Sequence, residues 1–165
     1  MRKIVIIIFL IVAVVSCTNI DCPVQNSVMT TYGLRKSGSG EVDTMGIDTM
    51  WVRLKRVDHT DTLLINRLCG AKATNFQIPI SYTQPEDSIC TTVVDTIGTV
   101  WRDTIVIKKD NMPHFESVDC QASYFHTLTA VKSTHYLIDT VVINHSFVSY
   151  DTSNEHLLLY LKARR

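Results

Sequence analysis

Asp-Thr is the feature that most restricts this chain. The dipeptide occurs seven times, beginning at Asp43, Asp48, Asp61, Asp95, Asp103, Asp139 and Asp151. Four copies lead straight into apolar runs: Met50-Trp51-Val52, Leu63-Leu64-Ile65, Ile105-Val106-Ile107 and Val141-Val142-Ile143. Asp favours turns by bonding nearby backbone, and Thr with the β-branched residues after it favours the pleated strand. The repeat is therefore read as strand initiation. Calcium binding, the functional alternative, would need an Asp-x-Asp-x-Asp-Gly loop, and the spacings here are irregular.

Alternation extends the same reading. Met50, Val52 and Leu54 fall on one face and Arg53 and Lys55 on the other; Phe76, Ile78, Ile80 and Tyr82 alternate with Gln77, Pro79 and Ser81. Pro79 cannot donate to a ladder, which places its strand at an edge. Ile105 to Ile107 and Val141 to Ile143 are apolar throughout and read as central strands covered on both faces. Further strands are expected over residues 28–35, 63–68, 89–94, 123–131 and 157–161, the last with a short helix as its rival. Turn signals stand at Gly38-Ser39-Gly40, Gln84-Pro85-Glu86-Asp87 and Lys109-Asp110-Asn111. No long segment keeps a 3.6-residue period. Eight or nine short strands in one all-β domain predict a single β-sandwich, Ig-like or similar, with a β-barrel as runner-up.

The first residues follow a different logic. Arg2 and Lys3 precede an unbroken apolar run from Ile4 to Val15, and the small Ser16 stands before Cys17. A positive start, a short apolar segment and a small residue at the cut make a secretory signal. The run is too short for the ~20 residues a spanning helix needs. Val14-Val15-Ser16-Cys17 resembles the bacterial lipobox, which implies that the Cys17 thiol accepts a diacylglyceryl group and becomes the first mature residue. The expected organisation is a signal peptide over 1–16, a lipidated cysteine and polar tether over 17–26, and one β domain over 27–165.

The mature chain would carry 14 basic and 16 acidic residues, a balance that argues against nucleic acid as a partner. Lys162, Arg164 and Arg165 form the only local basic excess and are read as a solvated end. Setting Cys17 aside leaves Cys22, Cys69, Cys90 and Cys120, an even set that reads as two disulfides in an oxidising compartment. Three connectivities are open. No Cys-x-x-Cys and no close His pair supports zinc, so no metal and no cofactor is expected.

The stretches His114-Phe115-Glu116-Ser117-Val118-Asp119-Cys120, Tyr124-Phe125-His126-Thr127-Leu128 and His135-Tyr136-Leu137-Ile138-Asp139-Thr140-Val141 resemble a family of lipoproteins from Bacteroidetes. Asp21-Cys22-Pro23, Asp48-Thr49-Met50-Trp51-Val52 and Asn154-Glu155-His156-Leu157-Leu158-Leu159-Tyr160 fit it as well, so the resemblance covers essentially the whole mature chain. It implies the pairing Cys22–Cys120, because both cysteines lie in family-like segments, and leaves Cys69–Cys90 by default. The family is itself a domain of unknown function, so the resemblance implies lineage and location and no activity.

Chemistry-bearing residues are sparse. His114, His126, His135, His145 and His156 follow one another at intervals of 12, 9, 10 and 11, which match no ligand motif. Ser117, Asp119 and His126 lack a nucleophile elbow, and no glycine-rich phosphate loop occurs. No catalytic residue is assigned. Aromatic residues are read first as core packing; the functional alternative is an exposed platform for sugar or peptide, with Trp101 and then Trp51 as its candidates. The expectation is a non-enzymatic structural or interaction module, held on the membrane by lipid on Cys17. A glycan- or peptide-binding accessory lipoprotein is the alternative, and an envelope hydrolase using His126 or His135 the third. Asn19-Ile20-Asp21 lacks the acidic run of a surface-export signal, which points to the outer membrane facing the periplasm.

Overall fold

The computed structural model describes residues 28–55 and 61–164. The signal segment, Cys17, the tether and Cys22 lie outside the described residues. Among those described, the chain runs through ten strands and no helix. They are β1 (Met29–Lys36), β2 (Gly46–Lys55), β3 (Thr62–Gly70), β4 (Asn75–Pro79), β5 (Glu86–Val94), β6 (Val100–His114), β7 (Ser123–Ser133), β8 (Ile138–Ile143), β9 (Phe147–Val148) and β10 (Leu157–Leu161).

The strands form two sheets, in the orders β4-β1-β10-β8 and β3-β2-β5-β6-β7-β9. The fold is all-β and sandwich-like, as the alternation implies, and the end strands of neither sheet pair to close a barrel. β1 and β10 run parallel with Tyr32 opposite Leu157, which joins the two ends of the described chain; the other ladders are antiparallel. Burial follows the pleat. Ile89, Thr91 and Val93 of β5 and Ile105 and Ile107 of β6 point inward, where they meet Leu34, Val52, Leu157 and Leu159. Tyr32 and Phe76, cross-strand partners on β1 and β4, stack with ring centroids 4.7 Å apart.

Several expectations hold and two need correction. Pro79 ends the edge strand β4, where its missing N–H breaks no ladder. β6 is central in its sheet but alternates, with Val106 half-buried and Lys108 exposed beside buried Ile105 and Ile107, and β8 is an edge strand with Val142 41 % exposed, so neither run is covered on both faces. Lys109-Asp110-Asn111 is no turn: it lies inside β6, where the pairing with β7 shifts register between Lys108 and Lys109. The polar triplet marks this irregularity because Lys109 and Asn111 turn inward to polar partners.

The Asp-Thr copies divide. Asp95 and Asp151 cap turns, accepting from the N–H groups of Ile97 and Thr99 and of Ser153. Asp103 does something else. Buried on β6, it accepts from Thr134 Oγ1 at 2.8 Å and from the backbone N–H groups of Tyr136, Leu137 and Ile138 at 2.9, 2.7 and 3.0 Å. One carboxylate thus holds the crossing from β7 in one sheet to β8 in the other.

Candidate functional site

The long strand β6 outruns its neighbour. Glu86, the first residue of β5, pairs with Lys108 and the Lys109 N–H reaches the Pro85 carbonyl; beyond that β6 pairs with β7 alone and extends as an arm. Alternation then sorts the arm's side chains. Asn111 and its partner His126 turn inward; Met112 and its partner Phe125 turn outward.

Phe125, half-buried and packed in part against the core as Trp101 is, is the centre of an aromatic cluster. His114 stacks on it with centroids 4.2 Å apart, and Phe147 and Tyr150 meet it edge-on at 5.8 and 5.1 Å. The Tyr150 hydroxyl bonds Ser123 Oγ, and Glu116 Oε1 lies 3.0 Å from His114 Nε2. Met112, Phe147 and Tyr150 all keep solvent-facing surface. Tyr82 and Tyr124 stack separately at 4.8 Å where the β4–β5 loop meets the arm. Ring edges and faces with a polar rim suit contact with sugar C–H faces or with peptide side chains.

Beneath the arm lies a charged network. Lys109, with its side chain 0 % exposed, binds Asp87 at 2.9 Å and donates to the Gln84 carbonyl at 2.8 Å. Asn111 donates to the carbonyls of Tyr82 and Gln84, and its Oδ1 lies 2.8 Å from His126 Nδ1. Burial first, and then the Lys109 ammonium, lower the His126 pKa to about 4, so the ring is neutral near pH 7. Burial, reinforced by Asp87, raises Tyr32 well above the ordinary phenol range. The network ties the β4–β5 loop to the base of the arm.

The residues singled out from sequence are not brought together. Trp51 pairs with Thr92 and Trp101 with Val93, so consecutive β5 residues put the two indoles on opposite faces of the sheet. Trp101 packs against the core. The cluster around Phe125 uses instead His114, Tyr150 and Met112, whose role is visible only once residues 109–111 are strand. His135 Nδ1 lies 2.8 Å from the Asp139 carbonyl, and the rings of His145 and His156 lie 5.9 Å apart; His126 meets an amide and a lysine and is not paired with Ser117 or Asp119. Among the described residues no three of His, Cys, Asp and Glu converge as a metal ion would require.

Two further corrections concern cysteine and the tail. Cys69 and Cys90 are free thiols. They sit on β3 and β5 with β2 between, two strand spacings or about 9–10 Å apart across the sheet and further still along it, since Cys90 lies opposite Arg53 and Leu68 opposite Met50, beyond the ~7 Å a disulfide can bridge. The default pairing Cys69–Cys90 therefore does not form. Cys120 is disulfide-bonded. Arg164, expected as part of a solvated end, is docked: it donates to Asp48 at 2.6 Å, Asp43 at 3.0 Å and the Thr44 carbonyl at 2.8 Å. The cavity of ≈ 340 Å³ beside it, lined by Lys36, Ser37 and Lys162 among others, holds charges that already satisfy one another.

Comparison with curated proteins and with solved structures gives no match. A family model matches residues 44–161, from just before β2 to the end of β10 and including the whole arm. The chain belongs to a family of unknown function, DUF6452.

Proposed function

We propose that this chain is an exported lipoprotein of the bacterial cell envelope, a non-enzymatic β module that presents the Phe125 cluster to a partner at the membrane surface. The single observation that carries the location is the charged, apolar and small-residue sequence ending in Val14-Val15-Ser16-Cys17. Lipid on Cys17 anchors the module, since each buried methylene contributes ~0.8 kcal/mol and two or more chains hold stably where one does not. The resemblance to Bacteroidetes lipoproteins supports this placement, at the outer membrane and facing the periplasm. Cys22–Cys120 is the bond that joins the tether to the domain.

Growth with an alkyne-bearing palmitate tests the anchor. The wild-type chain takes up the label and Cys17→Ala takes up none and keeps residues 1–16; label retained in Cys17→Ala would sink the proposal. A second reading, sugar or peptide binding as an accessory function, is favoured by the outward cluster of His114, Phe125, Phe147 and Tyr150. Titrating the folded domain with oligosaccharides and short peptides should shift amide resonances around Phe125 and Phe147. Shifts confined to the region of Trp51 or Trp101 would contradict it.

A further inference from the structure

The arm ends in a loop that has no core to cover. Residues 115–122 connect β6 to β7, and in them Val118 is 97 % exposed and Phe115 63 % exposed. Met112, two residues before the loop's approach through His114, is also solvent-facing. Apolar side chains gathered at one protruding tip add nothing to the stability of the isolated domain.

Three observations say what lies against that tip. First, the described chain begins at the same end: Val28 accepts from the Ile80 N–H just after β4, and the loop that follows is bonded through Tyr82 and Gln84 to Asn111 of the arm. Second, Cys120 inside the loop is disulfide-bonded while Cys69 and Cys90 are free. Third, the proposed partner Cys22 stands five residues after Cys17, a span of at most ~18 Å when fully extended. A loop cross-linked there is held within a few tens of ångströms of the acylated residue, a reach that lets its tip touch the bilayer surface.

We infer that the loop at residues 115–122 is a second membrane contact, with Phe115 and Val118 seated in the lipid interface beside the anchor. The inference rests on the lipoprotein reading above. The acyl chains already supply the binding, so the loop's contribution is orientation. It would stand the sandwich with the arm toward the lipid and the β5–β6 turn, about 45–50 Å away along β6, toward the aqueous side. The His114–Phe125–Phe147–Tyr150 cluster then lies just above the headgroups, where aromatic side chains with a polar tip are at home.

The test uses the full acylated protein in vesicles of phosphatidylethanolamine and phosphatidylglycerol, a share of whose acyl chains carry bromine. Val118→Trp places an indole at a position too exposed to disturb folding, and Ile97→Trp places one at the far turn, where Ile97 is 71 % exposed. Relative to the wild-type chain with Trp51 and Trp101, Val118→Trp should lose emission to the brominated lipid and shift to the blue, while Ile97→Trp does neither. Cys120→Ser in the Val118→Trp background should recover part of the lost emission, because the loop is released. An acylated chain in which the introduced indole at 118 stays unquenched overturns the inference alone. Equal quenching at 97 and 118 overturns the orientation, and a blue shift that instead follows protein concentration assigns the tip to a second copy of the chain. Absence of acyl mass on Cys17 defeats this inference together with the anchoring on which it stands.

Discussion

Lys109 keeps its ammonium away from water, binds Asp87 and the Gln84 carbonyl, and acts through its charge on the neutral ring of His126. Removing Lys109 leaves the buried Asp87 carboxylate with the Ser81 N–H as its remaining bond and no counter-charge. Lys109→Met should therefore lower the unfolding free energy by about 3–5 kcal/mol in urea titration. A loss below about 1 kcal/mol would show that Asp87 finds water. The same variant takes a cation away from His126, so the imidazole pKa, followed by NMR, should rise from about 4 toward the ordinary 6.5. The sign of the pH effect follows. Because the folded pKa is lower than the unfolded one, protonation favours the unfolded chain; His126 stabilises fully above pH ~6.5 and progressively less down to pH ~4, by about 3 kcal/mol in all. A His126→Gln variant should lose that part of the acid dependence. None of this was legible beforehand. Scattered histidines look alike in sequence, and a lysine within Lys108-Lys109-Asp110-Asn111 reads as solvated turn until its strand is known to pass through the core.

At the scale of elements, the crossing from β7 to β8 depends on one side chain. Asp103 satisfies three consecutive backbone N–H groups where the chain enters β8. Asp103→Ala leaves those donors without their acceptor and should destabilise by about 3 kcal/mol or more, with hydrogen exchange rising first at Tyr136, Leu137 and Ile138. Exchange that rises uniformly would contradict this account of the crossing. Strand positions were readable because period-2 alternation is a local signal; Asp-Thr was a poorer guide, since Asp61 stands at the start of β3 but Asp48 and Asp103 lie inside β2 and β6 and Asp95 and Asp151 cap turns. Partnership was not readable. Val141 to Ile143 has the same composition as a central strand, and only the sheet order puts β8 at an edge. The arm was hidden for a related reason: polar residues that break the alternation at Lys109 mark a register shift in a continuing strand as readily as its end.

For the whole molecule, the two ends of the sandwich differ in what they carry. The docked Arg164, with Asp43 and Asp48, closes the end where β1 turns away. The other end carries the arm, the aromatic cluster, the Cys120 loop and the start of the described chain. Sequence alone supplied the all-β class and the proposal of an anchor; the aromatic cluster waited on tertiary pairing, since His114, Phe125, Phe147 and Tyr150 come from three segments. The account stands or falls on the anchor, because it decides which end of the molecule meets lipid. The most direct measurement is intact and peptide mass spectrometry of the protein purified from membranes of an expressing bacterium. A mature N-terminus at Cys17 carrying the mass of a diacylglyceryl group is the predicted result, and an unmodified chain that begins at any other residue would contradict it.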